Sequence, residues 1–281
     1  MTDKILWQND ILNDSHTLIA GCSGSGKSVA LRSVLTEAIR KSPLRANLIL
    51  IDLKRVELID FKDAPHTLAY IDRADQVDDC LNTVVSIMEQ RFERMAEERK
   101  KKTDESHIYV VIDEFANLSM MCRKSVIDKI KDIALLGRAA GIHLICCTQR
   151  NTKEIIAGAI STCLEVRLCL RTVCAQDSRN VIGINGAESL PKFGYGIFQH
   201  NGYNNKIKID LVPDSEIERL IAYWQKAYPI IMEQKKINSK HTVSVNFSEN
   251  KTRKAKEEDL LPNAEEWKRV VNALGKALLG Q

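Results

Sequence analysis

An α/β fold, with a mainly parallel sheet flanked by helices, is what this sequence predicts, and three observations predict it. A glycine-rich loop, Gly21 to Ser28 (GCSGSGKS), sits between an apolar run, His16 to Ala20, and a helix-like run that begins at Val29. Three further runs, Asn47–Asp52, His107–Phe115 and His143–Arg150, are apolar without alternation and end in polar groups, as strands buried on both faces do. Between these runs apolar residues recur every three or four positions, which is the period of a helix laid on a sheet.

The glycine-rich loop has the composition of a nucleotide-triphosphate cradle. Gly21, Gly24 and Gly26 let the backbone curl so that its N–H groups face phosphate oxygens, with Cys22, Ser23 and Ser25 supplying the remaining amides. Lys27 then reaches the β and γ phosphates, and Ser28 offers a hydroxyl to Mg²⁺. The start of the following helix adds its partial positive charge to the same anion. ATP and Mg²⁺ are the expected ligands.

Taken in order, Ile5, Leu6, Trp7, Ile11 and Leu12 suggest a short strand or hairpin, with Trp7 either covering an adenine ring or packing in the core. Val29, Leu31, Val34, Leu35, Ala38 and Ile39 keep helical spacing up to Pro43. The run Asn47–Asp52 delivers Lys54, Arg55 and Glu57 to its carboxyl end, the edge where α/β sheets place their sites. A weaker strand, Thr67–Ile71, leads into a long helix marked by Val77, Leu81, Val84, Met88, Phe92 and Met95. That helix ends in the charge run Glu97–Lys102, read as a solvated helix end in preference to a DNA-contacting loop.

His107–Phe115 (HIYVVIDEF) places two adjacent carboxylates at the end of a buried strand, roughly 85 residues after the glycine-rich loop. Asp113 is expected to hold Mg²⁺ through water and Glu114 to polarise an attacking water, the two tasks that separate hydrolysis from mere binding. Val126, Ile130, Ile133 and Ala134 then predict a helix, and Thr148 and Gln149 end the next strand, where an amide can sense the γ phosphate. A further apolar run, Cys163–Leu170, carries Arg167; Ala175–Gly183 reads as a short helix, and Ile197–His200 and Lys206–Val212 as terminal strands.

Composition narrows the class. The 281 residues are 44% hydrophobic, enough for a substantial core, and the net charge of +4 does not by itself announce a nucleic-acid partner. Eight cysteines lie mostly inside apolar runs without the paired CxxC spacing of a zinc site, which predicts reduced, buried thiols and a cytoplasmic protein. No apolar stretch has the length of a membrane span.

The motifs HTLIAGCSGSGKSV, LIDLKRVEL, APHTL, MEQRFERM, VVIDEFANL, GRAAGIHLICCTQR, DSRNVI and GAESL together resemble the motor domain of the FtsK/SpoIIIE family of DNA-translocating ATPases, in that family's order and over residues 16 to about 225. The resemblance implies a RecA-like core over residues 1–235, assembled as a homo-oligomeric ring, expected to be a hexamer, around double-stranded DNA. Lys27 and Ser28 would bind phosphate and Mg²⁺, Asp113 and Glu114 would be the Walker B pair, and Gln149 the sensor. An arginine given by a neighbouring subunit would come from Arg138, Arg167 or Arg179, with Arg138 the first choice. Arg123, Lys124, Arg150 and Lys153 are the candidates for phosphate contacts of a sequence-independent kind.

Some residues depart from the family pattern. Asn151 stands where proline commonly follows TQR, and PKFGYG follows GAESL where an acidic residue is usual. Residues 236–281 read as a polar linker and a small amphipathic C-terminal helix (Trp267, Val270, Val271, Leu274, Leu278, Leu279), a docking element for a protein partner or a plain terminal helix, with no winged-helix pattern. The expected function is ATP-driven translocation of duplex DNA, for a mobile element, conjugative transfer, viral packaging or chromosome segregation. The alternative is a type VII secretion-like ATPase acting on protein substrates.

Overall fold

The computed structural model describes residues 7–13, 16–149 and 158–227, and the apolar runs become the strands of one eight-stranded sheet. These are β1 (Thr17–Ala20), β2 (Ala46–Ile51), β3 (Thr67–Ile71), β4 (His107–Ile112), β5 (Ile142–Thr148), β6 (Val166–Leu170), β7 (Tyr195–His200) and β8 (Tyr203–Lys208). The helices are α1 (Trp7–Leu12), α2 (Lys27–Arg40), α3 (Ala74–Glu97), α4 (Phe115–Met121), α5 (Lys124–Leu136), α6 (Gly158–Cys163), α7 (Ala175–Ile182) and α8 (Asp214–Ala227).

The strand order is β3-β2-β4-β5-β1-β6-β7-β8. From β3 through β6 all pairings are parallel, and β7 and β8 close the sheet as an antiparallel hairpin. Parallel strands deliver all their carboxyl ends to one edge, so β1, β4 and β5 present the residues that follow them side by side. The insertion of β5 between β1 and β4 sets Thr148 and Gln149 next to the glycine loop, the place that a RecA-like sheet gives them.

Each central strand feeds two cores, because successive side chains point to opposite faces. Leu18, Ile49, Ile51, Val110 and Ile112 pack with Leu81, Val84 and Met88 of α3 and Ile130 and Ile133 of α5. Ile19, Leu48, Leu50, Val111 and Ile145 pack on the other face with Leu31, Val34, Leu35 and Ile39 of α2. Each such fully buried side chain contributes about 1.5–3 kcal/mol. Unbroken apolar runs are therefore required, not incidental.

The first segment corrects the sequence reading: residues 7–12 form a helix, not a strand or hairpin. Ile11 and Leu12 are both buried, which a strand facing one core would not allow, and the Tyr109 hydroxyl donates to the Leu12 carbonyl at 2.8 Å. Ile5 and Leu6 lie outside the described residues, as do Arg150, Asn151, Lys153 and everything in the linker and C-terminal helix read over residues 236–281. Helix α8 docks on α2 through the Trp224 indole N–H, which donates to the Ile39 carbonyl at 2.5 Å, and through ion pairs of Arg32 with Asp214 and Arg40 with Glu216. Among the described residues no helix is long and apolar enough to cross a membrane.

Candidate nucleotide site

The loop between β1 and α2 is held on both flanks by backbone hydrogen bonds. Gly21 N–H donates to the Thr148 carbonyl on the β5 side, and Cys22 N–H to the Arg171 carbonyl on the β6 side. Gly26 has φ 99°, and a Cβ there would stand 2.7 Å from the Gly194 nitrogen, so glycine is required for both conformation and space.

Lys27, the first residue of α2, is nearly sealed, with 6% of its surface exposed. Its Nζ donates to the Asp113 carbonyl at 3.2 Å and lies 3.6 Å from Asp113 Oδ1. Burial works against its charge, and Cys147, Asp113, Glu114 and Glu57 outweigh that, so its pKa is raised. Burial also pushes the Cys147 thiol above the usual cysteine range, so Cys147 is uncharged near neutrality and the carboxylates do the holding. Asp113 is raised as well, because burial outweighs the attraction of Lys27.

Glu114 follows directly and is held from two directions. The Gln149 backbone N–H donates to Oε1 at 3.1 Å and Oε2 at 3.3 Å, and Lys54 Nζ lies 3.5 Å from Oε2. The Gln149 side chain, expected as the sensor, is exposed at this edge, while its backbone touches Glu114. Lys54 was legible only as a charge at the end of a strand. Its placement depends on Asp52, whose buried carboxylate accepts the Leu58 N–H at 3.0 Å and the Tyr70 hydroxyl at 3.2 Å, shaping the turn after β2. Burial and Asp52 together push Tyr70 up to about 12.

These residues fit a metal–nucleotide ligand. Asp113 is 1% exposed, and neither carboxylate oxygen accepts a hydrogen bond from the described residues. Buried acceptors left open in this way are costly unless something fills them. They sit beside a buried ammonium and a glycine-rich loop pinned at Gly21 and Cys22. Ser28, next along α2, is partly exposed.

The arginine candidates separate sharply. Arg167 donates to the carbonyls of Leu164 at 3.0 Å, Val181 at 2.6 Å and Ser161 at 2.8 Å, a set of bonds that commits its guanidinium within its own chain. Arg138 lies at the opposite end of the sheet from the glycine loop, between α5 and β5, where its Nη1 meets both oxygens of Glu165 at 3.0 Å. Arg179 on α7 is exposed and donates to Asn185 at 2.6 Å and Gln176 at 2.9 Å. Arg123 and Lys124 are exposed at the start of α5.

Comparison with known proteins matches the FtsK/SpoIIIE family over residues 1–108 and 95–153. The chain is 33% identical over 238 residues to DNA translocase SftA of Bacillus subtilis (strain 168), covering 78% of this chain and 25% of that one. It therefore spans about a quarter of that relative's length. Among solved structures, the pCW3 conjugation coupling protein TcpA, in a monomer form with ATPgS, superposes with a TM-score of 0.67 at 24% identity, over 76% of this chain and 66% of that one. The cytoplasmic domain of the Thermomonospora curvata type VII secretion ATPase EccC gives a TM-score of 0.65 at 25% identity, over 73% of this chain and 28% of that one.

Proposed function

The chain belongs to the FtsK/SpoIIIE family, and from that membership we propose that it is the motor part of a ring-forming ATPase that translocates double-stranded DNA. The observation that carries the reading is the convergence of Lys27, Asp113, Glu114 and Gln149 at one sheet edge, with Lys27 3.6 Å from Asp113 and the Gln149 N–H 3.1 Å from Glu114.

In this reading the loop Gly21, Cys22, Ser23, Gly24, Ser25 and Gly26 wraps the phosphates, with the amides of Ser23, Gly24 and Gly26 as donors and those of Gly21, Cys22 and Ser25 holding the loop's shape, and Lys27 turns from Asp113 to the β and γ phosphate oxygens. Ser28 and Asp113 would hold Mg²⁺, which would offset the charge of the phosphates. ATP, when bound, supplies the phosphoryl group whose transfer to water drives movement. Glu114 orients that water and accepts its proton, and Gln149 reports on the γ position. Arg138 is the best placed arginine to serve a neighbouring copy, because it is exposed and lies far from its own glycine loop. Arg123 and Lys124 are proposed to meet phosphates of the duplex, a contact that is indifferent to sequence and sensitive to salt. A hexameric ring and work in conjugation or on a mobile element follow as finer proposals, the latter supported by the likeness to a conjugation coupling protein.

The likeness to a type VII secretion ATPase supports a second reading, in which a polypeptide is the substrate. Steady-state ATP hydrolysis with and without linear duplex, at low and high salt, separates the two. A many-fold, salt-sensitive stimulation that disappears in Lys27→Ala is expected for the DNA motor. Hydrolysis indifferent to duplex overturns that reading in favour of a protein substrate.

A further inference from the structure

Two large apolar side chains stand exposed on the segments that hold the glycine loop from the side away from the carboxylates. Val173 is 80% exposed and Phe193 is 75% exposed. The strand pairing explains their closeness to the loop: Leu170 at the end of β6 pairs with Gly196 at the start of β7, so the segment leaving at 171 and the segment arriving at 194 share one corner of the sheet. Both grip the loop through the backbone. The Arg171 carbonyl accepts the Cys22 N–H at 2.9 Å, and the Gly194 N–H donates to the Ser25 carbonyl at 3.0 Å.

Phe193 also has an unusual backbone. Its φ is 65°, a left-handed conformation that bulky residues rarely adopt and that costs of order 1–3 kcal/mol. The conformation is imposed by its neighbour. Gly194 is fixed by its bond to Ser25 on one side and by the Ile209 N–H, which donates to the Gly194 carbonyl at 2.7 Å, on the other. A strained backbone that leaves an aromatic side chain in water beside a phosphate-type loop wastes both strain and apolar surface unless a ligand covers the ring.

The direction of the ligand follows from the sheet. Lys27 and Asp113 mark the terminal-phosphate end, on the β5 and β4 side of β1. A nucleotide held there by its last phosphate must carry its sugar and base towards the opposite side, where β6 and β7 lie. We propose that Phe193 receives the purine base of the nucleotide, its ring stacking on the base, with Val173 an exposed apolar residue on the other segment of the same corner. This inference rests on the ATP reading of the glycine loop and adds to it the base-binding residues. Stacking on an aromatic tolerates any planar base, so the wall confers affinity for a nucleoside over bare phosphate more than choice among bases.

The test compares magnesium ATP with magnesium tripolyphosphate, which has the phosphates and no base, by calorimetric titration of the full chain and two variants. Asparagine tolerates a left-handed φ, so Phe193→Asn removes the ring without straining the loop further. Phe193→Tyr keeps the ring. Phe193→Asn is expected to weaken ATP about ten-fold and leave tripolyphosphate unchanged, while Phe193→Tyr stays near the parent. Equal ATP affinity in Phe193→Asn, or an equal loss for both ligands, overturns the base wall while leaving the glycine loop as the nucleotide site. If the parent binds neither ligand, the ATP reading falls and takes this inference with it.

Discussion

Lys54 Nζ lies 3.5 Å from Glu114 Oε2, so the carboxylate expected to activate water is braced from the turn after β2, three strands away from β1 and its glycine loop, as well as by the Gln149 N–H. A charge held on two sides is preorganised, and removing one brace loosens it. Lys54→Met is expected to slow turnover about ten-fold with ATP affinity unchanged, and Lys54→Arg to recover part of the loss. If Lys54 acts through Glu114, adding Lys54→Met to Glu114→Gln costs nothing further, which a double-mutant cycle on the hydrolysis rate would read. Additive losses would sink the coupling.

The glycine loop and the carboxylate pair should fail in different ways. Lys27→Ala is expected to abolish ATP binding. Glu114→Gln keeps the shape and most of the polarity of the side chain, so ATP binds as before while turnover falls at least about 100-fold, the scale of a lost general base. Equilibrium binding beside single-turnover hydrolysis distinguishes the two, and an active Glu114→Gln variant would remove that residue from the mechanism.

Arg167 and Arg138 looked equivalent as letters and are opposite in place. Arg167→Ala leaves three backbone carbonyls without their donor and is expected to cost about 3 kcal/mol of stability, measured by denaturant unfolding. Arg138→Ala removes a half-exposed pair with Glu165, worth under about 1 kcal/mol. Its expected effect is on hydrolysis. Mixing Arg138→Ala subunits with Glu114→Gln subunits should restore some activity if the two residues meet between copies, and no restoration in rings shown to have mixed would count against Arg138.

His16 gives the fold a pH dependence. Burial, and then the positive charge of Arg138, lower its pKa to about 4, while its Nδ1 accepts the Leu144 N–H at 2.9 Å and its ring lies 6.2 Å from that of His143. The folded pKa is below the unfolded one, so the unfolded chain binds the proton more readily and stability falls as pH drops from about 6.5 to about 4. The single-site loss between about pH 7.5 and pH 5 is about 2 kcal/mol. His16→Asn should flatten that slope in denaturant titrations; an unchanged slope would assign it to other groups.

What could be read from the chain and what could not divides along physical lines. Gly21 to Ser28, Asp113 and Glu114 are legible because local chemistry demands those residue types in one short stretch. The buried strands are legible because a parallel sheet covered on both faces needs apolar residues without alternation, as in Leu48 to Ile51 and Val110 to Ile112. Helix α1 was misread because six residues are too few to show a period, and α4 was passed over because FANLSMM is short and follows the carboxylates without a break. Contacts across the sheet were out of reach: the brace from Lys54 and the approach of Gly194 to Ser25 each join residues far apart in the chain, and the carbonyl clamp of Arg167, though its acceptors are near in sequence, depends on how α6 and α7 fold around β6.

Among the described residues the sheet ends at β8, and that edge bears on how copies of this chain could meet. β8 reads YNNKIK, and only Ile207 of its six residues is buried. An open strand edge invites another chain to continue the sheet, and lysines such as Lys206 and Lys208 discourage it by repulsion and by the cost of stripping their water. At that edge, a neighbour would have to associate through side chains and loops, without merging hydrogen-bond ladders. A contact of that kind can be made, broken and remade without unfolding either partner.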